Sequence, residues 1–178
     1  PVIENHGLIE YLLRSGGDLS DRESLTARQI KRFTDEMPGG FFIYRDDDDK
    51  ILYVNYAVLQ MLGCKTEEEF WSLTGGTFHG LVHPDDRETV EASIREQISQ
   101  NSFDLDYVEY RIVRKDGSVC WVEDFGHFIE TEELGGVFYV FLVDSTERRR
   151  RRVAERAAIL EEKLQKEREP QEQAEQTL

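Results

Sequence analysis

Long apolar runs are missing from this chain. None reaches the roughly 18 residues a membrane-spanning helix needs, and the first residues lack the basic-then-apolar order of a secretory signal. The chain starts at Pro1 and reads as a piece of something longer. Cysteine is scarce, with only Cys64 and Cys120 among 178 residues. Two thiols make no disulfide framework, so they read as free thiols in a reducing, cytoplasmic setting. Basic charge is short as well: 22 Lys+Arg face 37 Asp+Glu, a net of −15. From Ser145 onward 9 basic and 8 acidic residues nearly balance, which leaves 13 and 29 before it, a net of −16. A body this acidic repels nucleic acid and anionic membrane surfaces, so neither is expected as a partner. No nucleophile–base pair, phosphate loop or paired metal-ligand spacing is present. Glu123 and Asp124 are adjacent on a strand-like run and point to opposite faces, and His127 beside them reads as a surface histidine. The chain is therefore expected to be regulatory rather than an enzyme.

What is present is 39% hydrophobic and 33% charged, enough for one soluble domain of ordinary size with extensions. The organising stretch is Tyr107–Val122, two strand-like runs around Asp116-Gly117. A two-residue type I′ loop there predicts that Ile112 faces Trp121 and Arg114 faces Val119 on one side of the ribbon. Val113 then faces Cys120, and Arg111 faces Val122, on the other. The first side also carries Val108, Tyr110 and Phe125, and is expected to be the core face. The second carries Glu109, Arg111 and Asp124, able to pair across strands. A slip of one residue would exchange the faces.

Upstream, Leu8, Ile9, Leu12 and Leu13 have helical spacing until Gly16-Gly17. Ser20 with Glu23 predicts a capping box for an amphipathic helix over 21–36, stopped by Pro38-Gly39-Gly40. Phe41–Arg45 and Ile51–Asn55 read as short strands. Their connector, Asp46-Asp47-Asp48-Asp49-Lys50, lacks the alternation and glycine of a calcium loop and reads as a solvated turn. Asn55 is a predicted N-cap for 56–62, ended by Gly63, and Thr66 with Glu69 a capping box for the next helix. His83-Pro84-Asp85-Asp86 opens the longest internal helix, with a buried stripe of Val90, Ile94 and Ile98, closed by Asn101. Val137–Val143 is apolar throughout and is expected to be a strand buried on both faces, covered on its second side by the 21–36 helix or a second subunit. A helix follows to about Glu169, with Pro170 as its barrier. Val153, Ala157, Leu160 and Leu164 alternate at four and three along it, a coiled-coil pattern of about two heptads. The run Arg148–Arg152 is expected to lie against the acidic body or to pair with glutamates such as Glu155.

Several of these blocks stand in a familiar order: Ile51-Leu52-Tyr53-Val54-Asn55; Leu62-Gly63-Cys64 before Thr66-Glu67-Glu68-Glu69-Phe70; His83-Pro84-Asp85-Asp86-Arg87; Arg114-Lys115-Asp116-Gly117-Ser118 with Trp121; and Asp144-Ser145-Thr146-Glu147-Arg148. Over about Phe33 to Arg152 the chain resembles a PAS domain, a sensory module of bacterial signal-transduction proteins. The resemblance implies an α+β fold: a five-stranded antiparallel sheet with helices on one face over a small cavity. It implies an N-terminal extension with a flanking helix over 1–36, the PAS domain over 37–144, and a C-terminal signalling helix and coiled-coil linker over 145–178. It also implies a signal-relay set. Asp144 and Thr146 sit at the switch point before the exit helix, and Arg114 or Lys115 of the last hairpin pairs with the acid. Ser145 stands where the family usually has an apolar residue.

The cofactors of the family are not matched. Cys64 lies outside any Asn-Cys-Arg flavin motif, no histidine lies between Pro84 and Asn101 to hold haem, and His79 and His127 fall in a loop and at a strand end. No cofactor or metal is expected. A small organic ligand stays open: Tyr44, Tyr53, Tyr110 and Tyr139 could offer hydroxyls to a cavity walled by Met61, Val90, Ile94 and Phe125. The plainer reading is that these aromatics only fill the core. The expected function is a non-catalytic sensor and dimerisation module, a homodimer in the cytoplasm. Its exit helix would signal to an output domain of the histidine kinase or diguanylate cyclase type, as in two-component systems. The alternative is a ligand-free protein–protein interaction domain.

Overall fold

The computed structural model describes residues 28–29, 31–100 and 103–175, with side chains to Arg168. The expectations for residues 1–27 and for Asn101 lie outside the described residues. The chain divides into two compact units, Pro1–Asp144 and Ser145–Leu178. A helical segment over 31–35 precedes strands β1 (Gly40–Arg45) and β2 (Ile51–Val54). Helices α1 (Tyr56–Met61), α2 (Glu67–Thr74) and α3 (Phe78–Leu81) follow, then a 3-10 turn, Pro84–Asp86, and α4 (Arg87–Gln100). Strands β3 (Leu105–Val113), β4 (Val119–Thr131) and β5 (Gly135–Asp144) complete the sheet, and α5 (Thr146–Glu175) leaves it. The sheet is antiparallel, in the order β2-β1-β5-β4-β3, so the last strand lies in the middle.

Short polar side chains start the helices. Asn55 accepts from the Val58 N–H, Thr66 from Glu69 and Thr77 from Gly80, and His83 Nδ1 accepts from the Asp85 N–H. Glu69 reaches back to accept from the Lys65 N–H at 2.7 Å, one residue before the expected partner. Asn55 is fully buried and satisfied on both ends. Its oxygen also accepts from the Phe41 N–H at 2.8 Å, while its amide donates to the carbonyls of Thr34 (2.8 Å) and Gly39 (3.1 Å). One side chain thus ties β1, the 31–35 segment and α1 together.

The hairpin between β3 and β4 departs from the two-residue expectation. Arg111 pairs with Trp121, Ile112 with Cys120 and Val113 with Val119. The Arg114 N–H donates to the Ser118 carbonyl at 2.8 Å and the Gly117 N–H to the Arg114 carbonyl at 2.9 Å. Only Gly117 has positive φ (83°); Asp116 does not. This is a type I turn closed by a left-handed glycine, a three-residue loop with a bulge. Asp116 stabilises it by accepting from the Ser118 N–H and hydroxyl. The extra loop residue leaves β3 as expected, with Val108, Tyr110 and Ile112 buried, and turns β4 over. Cys120, Val122 and Asp124 face the core; Val119 and Phe125 are exposed.

The inner face of the sheet packs on the helices through Phe42, Tyr44, Tyr110, Phe138, Val140 and Leu142 against Val58, Phe70, Phe78, Val90 and Ile94. On the outer face Ile43, Tyr53 and Val137 form a second, smaller cluster. The 31–35 segment covers part of it: Thr34 is buried, and its hydroxyl hydrogen-bonds the Tyr53 hydroxyl. β5 is fully buried along its inner face; on its outer face Val137 is fully buried, while Tyr139, Phe141 and Val143 are half-buried.

In the second unit, α5 continues through Pro170 to Glu175 rather than stopping before it. Proline removes one backbone donor, which can bend a helix without ending it. Val153, Ile159, Leu160 and Leu164 are all exposed. Arg150 donates to Glu147 at 2.8 Å, one turn back rather than one turn on.

Truncating Asn55 to alanine removes an N-cap and orphans buried groups on three elements. The expected loss of stability is about 2 kcal/mol or more, read as a lower urea midpoint with unchanged slope.

Candidate functional site

A cavity of about 440 Å³ opens between the turn after β1, α3 and α4. Its floor is an aromatic stack. Tyr44 lies between Phe78 (4.5 Å, 12°) and Phe138 (4.7 Å, 6°). Val82, Val90 and Ile94 add apolar wall, and Asp46–Asp49, His79, Arg87, Glu91 and Arg95 form a charged rim. The acidic turn is held by named partners: Asp46 pairs with Arg95, Asp48 with Arg45, and the Asp49 carboxylate accepts from the His79 N–H at 2.6 Å. The Arg45 guanidinium holds the Asp48 carboxyl down at about 2, while burial raises Asp49.

The structure brings Tyr44, Val90 and Ile94 of the expected pocket set to this cavity. Met61 packs on the core without lining the cavity, and Tyr110 is fully buried in the sheet. Tyr53, Phe125 and Tyr139 lie on the opposite face. Tyr53 belongs to the outer cluster, with the Lys31 ammonium 5.6 Å above its ring. Tyr139 is half-buried there, its hydroxyl pushed up to about 12 by burial. Phe125 is 46% exposed against Tyr107, at 5.1 Å. The strand register decides each of these, since Ile43 pairs with both Tyr53 and Tyr139, and Phe125 pairs with Tyr107.

Sequence reasoning missed two carboxylates on the inner face. Asp106 and Asp124 are 5% and 1% exposed. The Tyr110 hydroxyl donates to Asp124 Oδ2 at 2.7 Å, whereas Asp124 Oδ1 and both oxygens of Asp106 have no hydrogen-bond partner. Burial pushes the Asp106 carboxyl up to about 6. Burial, and then the charge of Asp106, raises Asp124 well above the usual range against the opposing Tyr110 hydrogen bond. The strand period carried the signal, because Asp106 is in phase with Val108, Tyr110 and Ile112.

The expected relay residues separate into two pairs. The Arg114 guanidinium donates to the Met61 carbonyl at 3.0 Å and to Asp144 Oδ2 at 3.3 Å, joining the end of α1 to the end of β5. Lys115 instead pairs with Glu69 at 2.7 Å. Thr146 is the first residue of α5. A further clamp, absent from the expectations, joins the turn before α4 to β3. The backbone and guanidinium of Arg111 both donate to Asp86, whose carboxyl is lowered by that hydrogen bonding. Among the described residues no group of three or more His, Cys, Asp or Glu is placed to hold a metal ion, and no helix is long and apolar enough to cross a membrane.

The buried acids set a pH dependence. A carboxyl raised from 3.8 to about 6 on folding binds more protons in the folded state across that window. Asp106 therefore adds stability that is complete below pH 3.8 and is lost as pH rises through about 6, and Asp124 acts in the same direction. The expected fall in unfolding free energy from pH 5 to pH 7 is on the order of 2 kcal/mol. Asp106→Asn should flatten it. An equal slope in wild type and variant would show that Asp106 does not titrate there.

No curated protein sequence matches the chain. Solved structures do. The PAS domain of a two-component sensor histidine kinase matches with a TM-score of 0.53 at 18% identity, covering 68% of this chain and 97% of that one. That of an HTR-like protein from Haloarcula marismortui matches at 0.53 and 23%, covering 69% and 94%. A sensory box histidine kinase/response regulator from Burkholderia thailandensis matches at 0.55 and 19%, covering 80% and 98%. At these identities the likeness concerns the fold. The family model described as PAS fold matches residues 51–141, from β2 through most of β5, and includes both buried carboxylates. On that match the chain belongs to the PAS family.

Proposed function

We propose that this chain is a non-catalytic sensory and dimerisation module whose α5 relays a signal to an output domain. The observation that carries the reading is the Arg114–Asp144 link at 3.3 Å, made by the last residue of β5 two positions before α5 begins. Both side chains are partly solvent-exposed, so the pair is worth about 0–1 kcal/mol. A contact of that size can bias a two-state element without locking it. Arg114 also holds the Met61 carbonyl, so a movement of α1 reaches the end of β5 through one guanidinium. Downstream, the exposed Val153, Leu160 and Leu164 recur on α5 at coiled-coil spacing. An apolar stripe of that period is best buried by a second copy, which supports a homodimer. Two of the similar structures come from histidine kinases by their descriptions, which supports a kinase as the output class. A diguanylate cyclase is the other output of this kind.

Sedimentation of the chain against a version ending at Asp144 tests dimerisation, and the shorter form should be monomeric at micromolar concentration. Hydrogen exchange tests the relay. Arg114→Ala should speed amide exchange in the first two turns of α5 roughly fivefold, as expected for losing about 1 kcal/mol of local stability. Unchanged exchange there would remove the role given to the ion pair.

A further inference from the structure

Three buried oxygens, both of Asp106 and Oδ1 of Asp124, lack a hydrogen-bond partner. Buried polar groups are almost always paired, so three orphans on one sheet face need a cause. Asp106 pairs with Gly126 and Val108 with Asp124, so the two acids are diagonal neighbours on the inner face of β3 and β4. Gly126 makes room for them. A Cβ there would lie 2.3 Å from Asp106 Oδ2 and 2.7 Å from both Oδ1 and Cγ, so the carboxyl rests on bare backbone. The groups that face the pair supply one donor. From β3 the Tyr110 hydroxyl donates to Asp124 Oδ2 at 2.7 Å. β5 offers only Val140 and Leu142 beside Gly126 and Asp124. From β1 the Tyr44 hydroxyl is raised by burial and then by the charges of Asp124, Asp106 and Asp49. From α4 the Arg95 charge also reaches Tyr44, but its guanidinium is held by Asp46. Among the described residues no cation acts on either carboxylate.

We propose that Asp106 and Asp124 form a proton switch: the domain closes over the pair with a proton bound, and release of that proton loosens β3 from α4. The inference rests on the sensory reading for any effect on α5, and it names the proton as the signal. An ionised carboxylate only accepts, and burying one without a donor is strongly unfavourable. A proton turns one oxygen into a donor and removes one charge. On release the carboxyl O–H bond breaks, the oxygen keeps the electron pair and the proton passes to water. The ionised acid is then relieved only by water or by moving outward. β3 is the element free to give way, because it lies at the sheet edge and β4 is the only strand it pairs with. The Gln97 side chain of α4 clips it, accepting from the Tyr107 N–H and donating to the Tyr107 carbonyl, both at 2.9 Å. That clip lies one residue from Asp106. Burial holds the Asp106 carboxyl up at about 6, and burial with the Asp106 charge holds Asp124 well above its usual range, so release falls near neutral pH.

Carboxyl-carbon NMR of the whole chain, labelled at aspartate, reads the site directly. A signal with a midpoint of about 6 should appear in wild type and be missing from Asp106→Asn. Asp106→Asn keeps the shape and removes the charge, so it should also lower the Asp124 midpoint by about one unit. Its thermal midpoint, expected at or above that of wild type at pH 7, shows that the variant is folded. Amide exchange reads the consequence, once corrected for its intrinsic rise with pH. At Tyr107 and its β3 neighbours it should quicken at least about tenfold from pH 5 to pH 8 in wild type and change little in Asp106→Asn. Asp124→Asn gives a second, independent reading of the same change. No signal near pH 6, an Asp124 midpoint indifferent to Asp106→Asn, or equal acceleration in wild type and both variants each overturns the proposal. Acceleration confined to β3, with α5 unchanged, supports the switch and removes its link to the relay. The relay is tested by itself at Arg114, so either reading can fail alone.

Discussion

Every functional placement in the PAS unit depends on β5 being hydrogen-bonded along both edges. It pairs with β1 from Arg45–Val137 to Gly40–Leu142, and with β4 from Thr131–Gly135 to Val122–Asp144. A strand held on both sides cannot slip by one residue, because that would exchange the buried Phe138, Val140 and Leu142 for Tyr139, Phe141 and Val143. The fixed register sets Tyr44 against Phe138 and so builds the cavity floor. It also brings Asp144 opposite Val122, at the hairpin end of β4, where Arg114 can reach it. The cavity floor and the Arg114–Asp144 link are thus two consequences of one pairing.

The elements were legible in the sequence wherever a local chemical signal fixed them. Asn55, Thr66 and His83 are caps because their side chains accept from free helix N–H groups, whatever the rest of the chain does. The faces of β3 were legible because Val108, Tyr110 and Ile112 alternate with polar residues. Those of β4 were not. Asp-Gly suits both a two-residue loop and a three-residue one, and only the φ of Asp116 separates them. That single residue moved Phe125 out of the core face and turned Asp124 into it. Tyr53 and Tyr139 were lost for another reason. β2 and β5 are apolar at both parities, so their pattern has no phase to read. Asp106 was in phase with the core all along, but a carboxylate in a core row is a sequence signal normally read as solvent exposure.

A buried carboxylate oxygen without a hydrogen-bond partner opposes folding, and the fold keeps three of them, both of Asp106 and Oδ1 of Asp124. The interior offers two remedies, a proton or a cation. With the Asp106 carboxyl near 6, the proton is only partly effective at neutral pH. Asp124 pairs with Leu142 and Val122 with Asp144, so the buried acid and the relay acid lie two residues apart along the same pair of strands. Two residues of strand span about 7 Å, and no flexible loop intervenes. Coupling between sites needs a differential interaction with two states of a shared element. In the proposed relay, the β4–β5 ladder would be that shared element. Neutralising Asp124 alters the load at one end of a two-residue segment whose other end is held to Arg114 by a contact worth about 0–1 kcal/mol. If the proposed relay operates, a contact this weak is best tipped from a site this close on the same pair of strands.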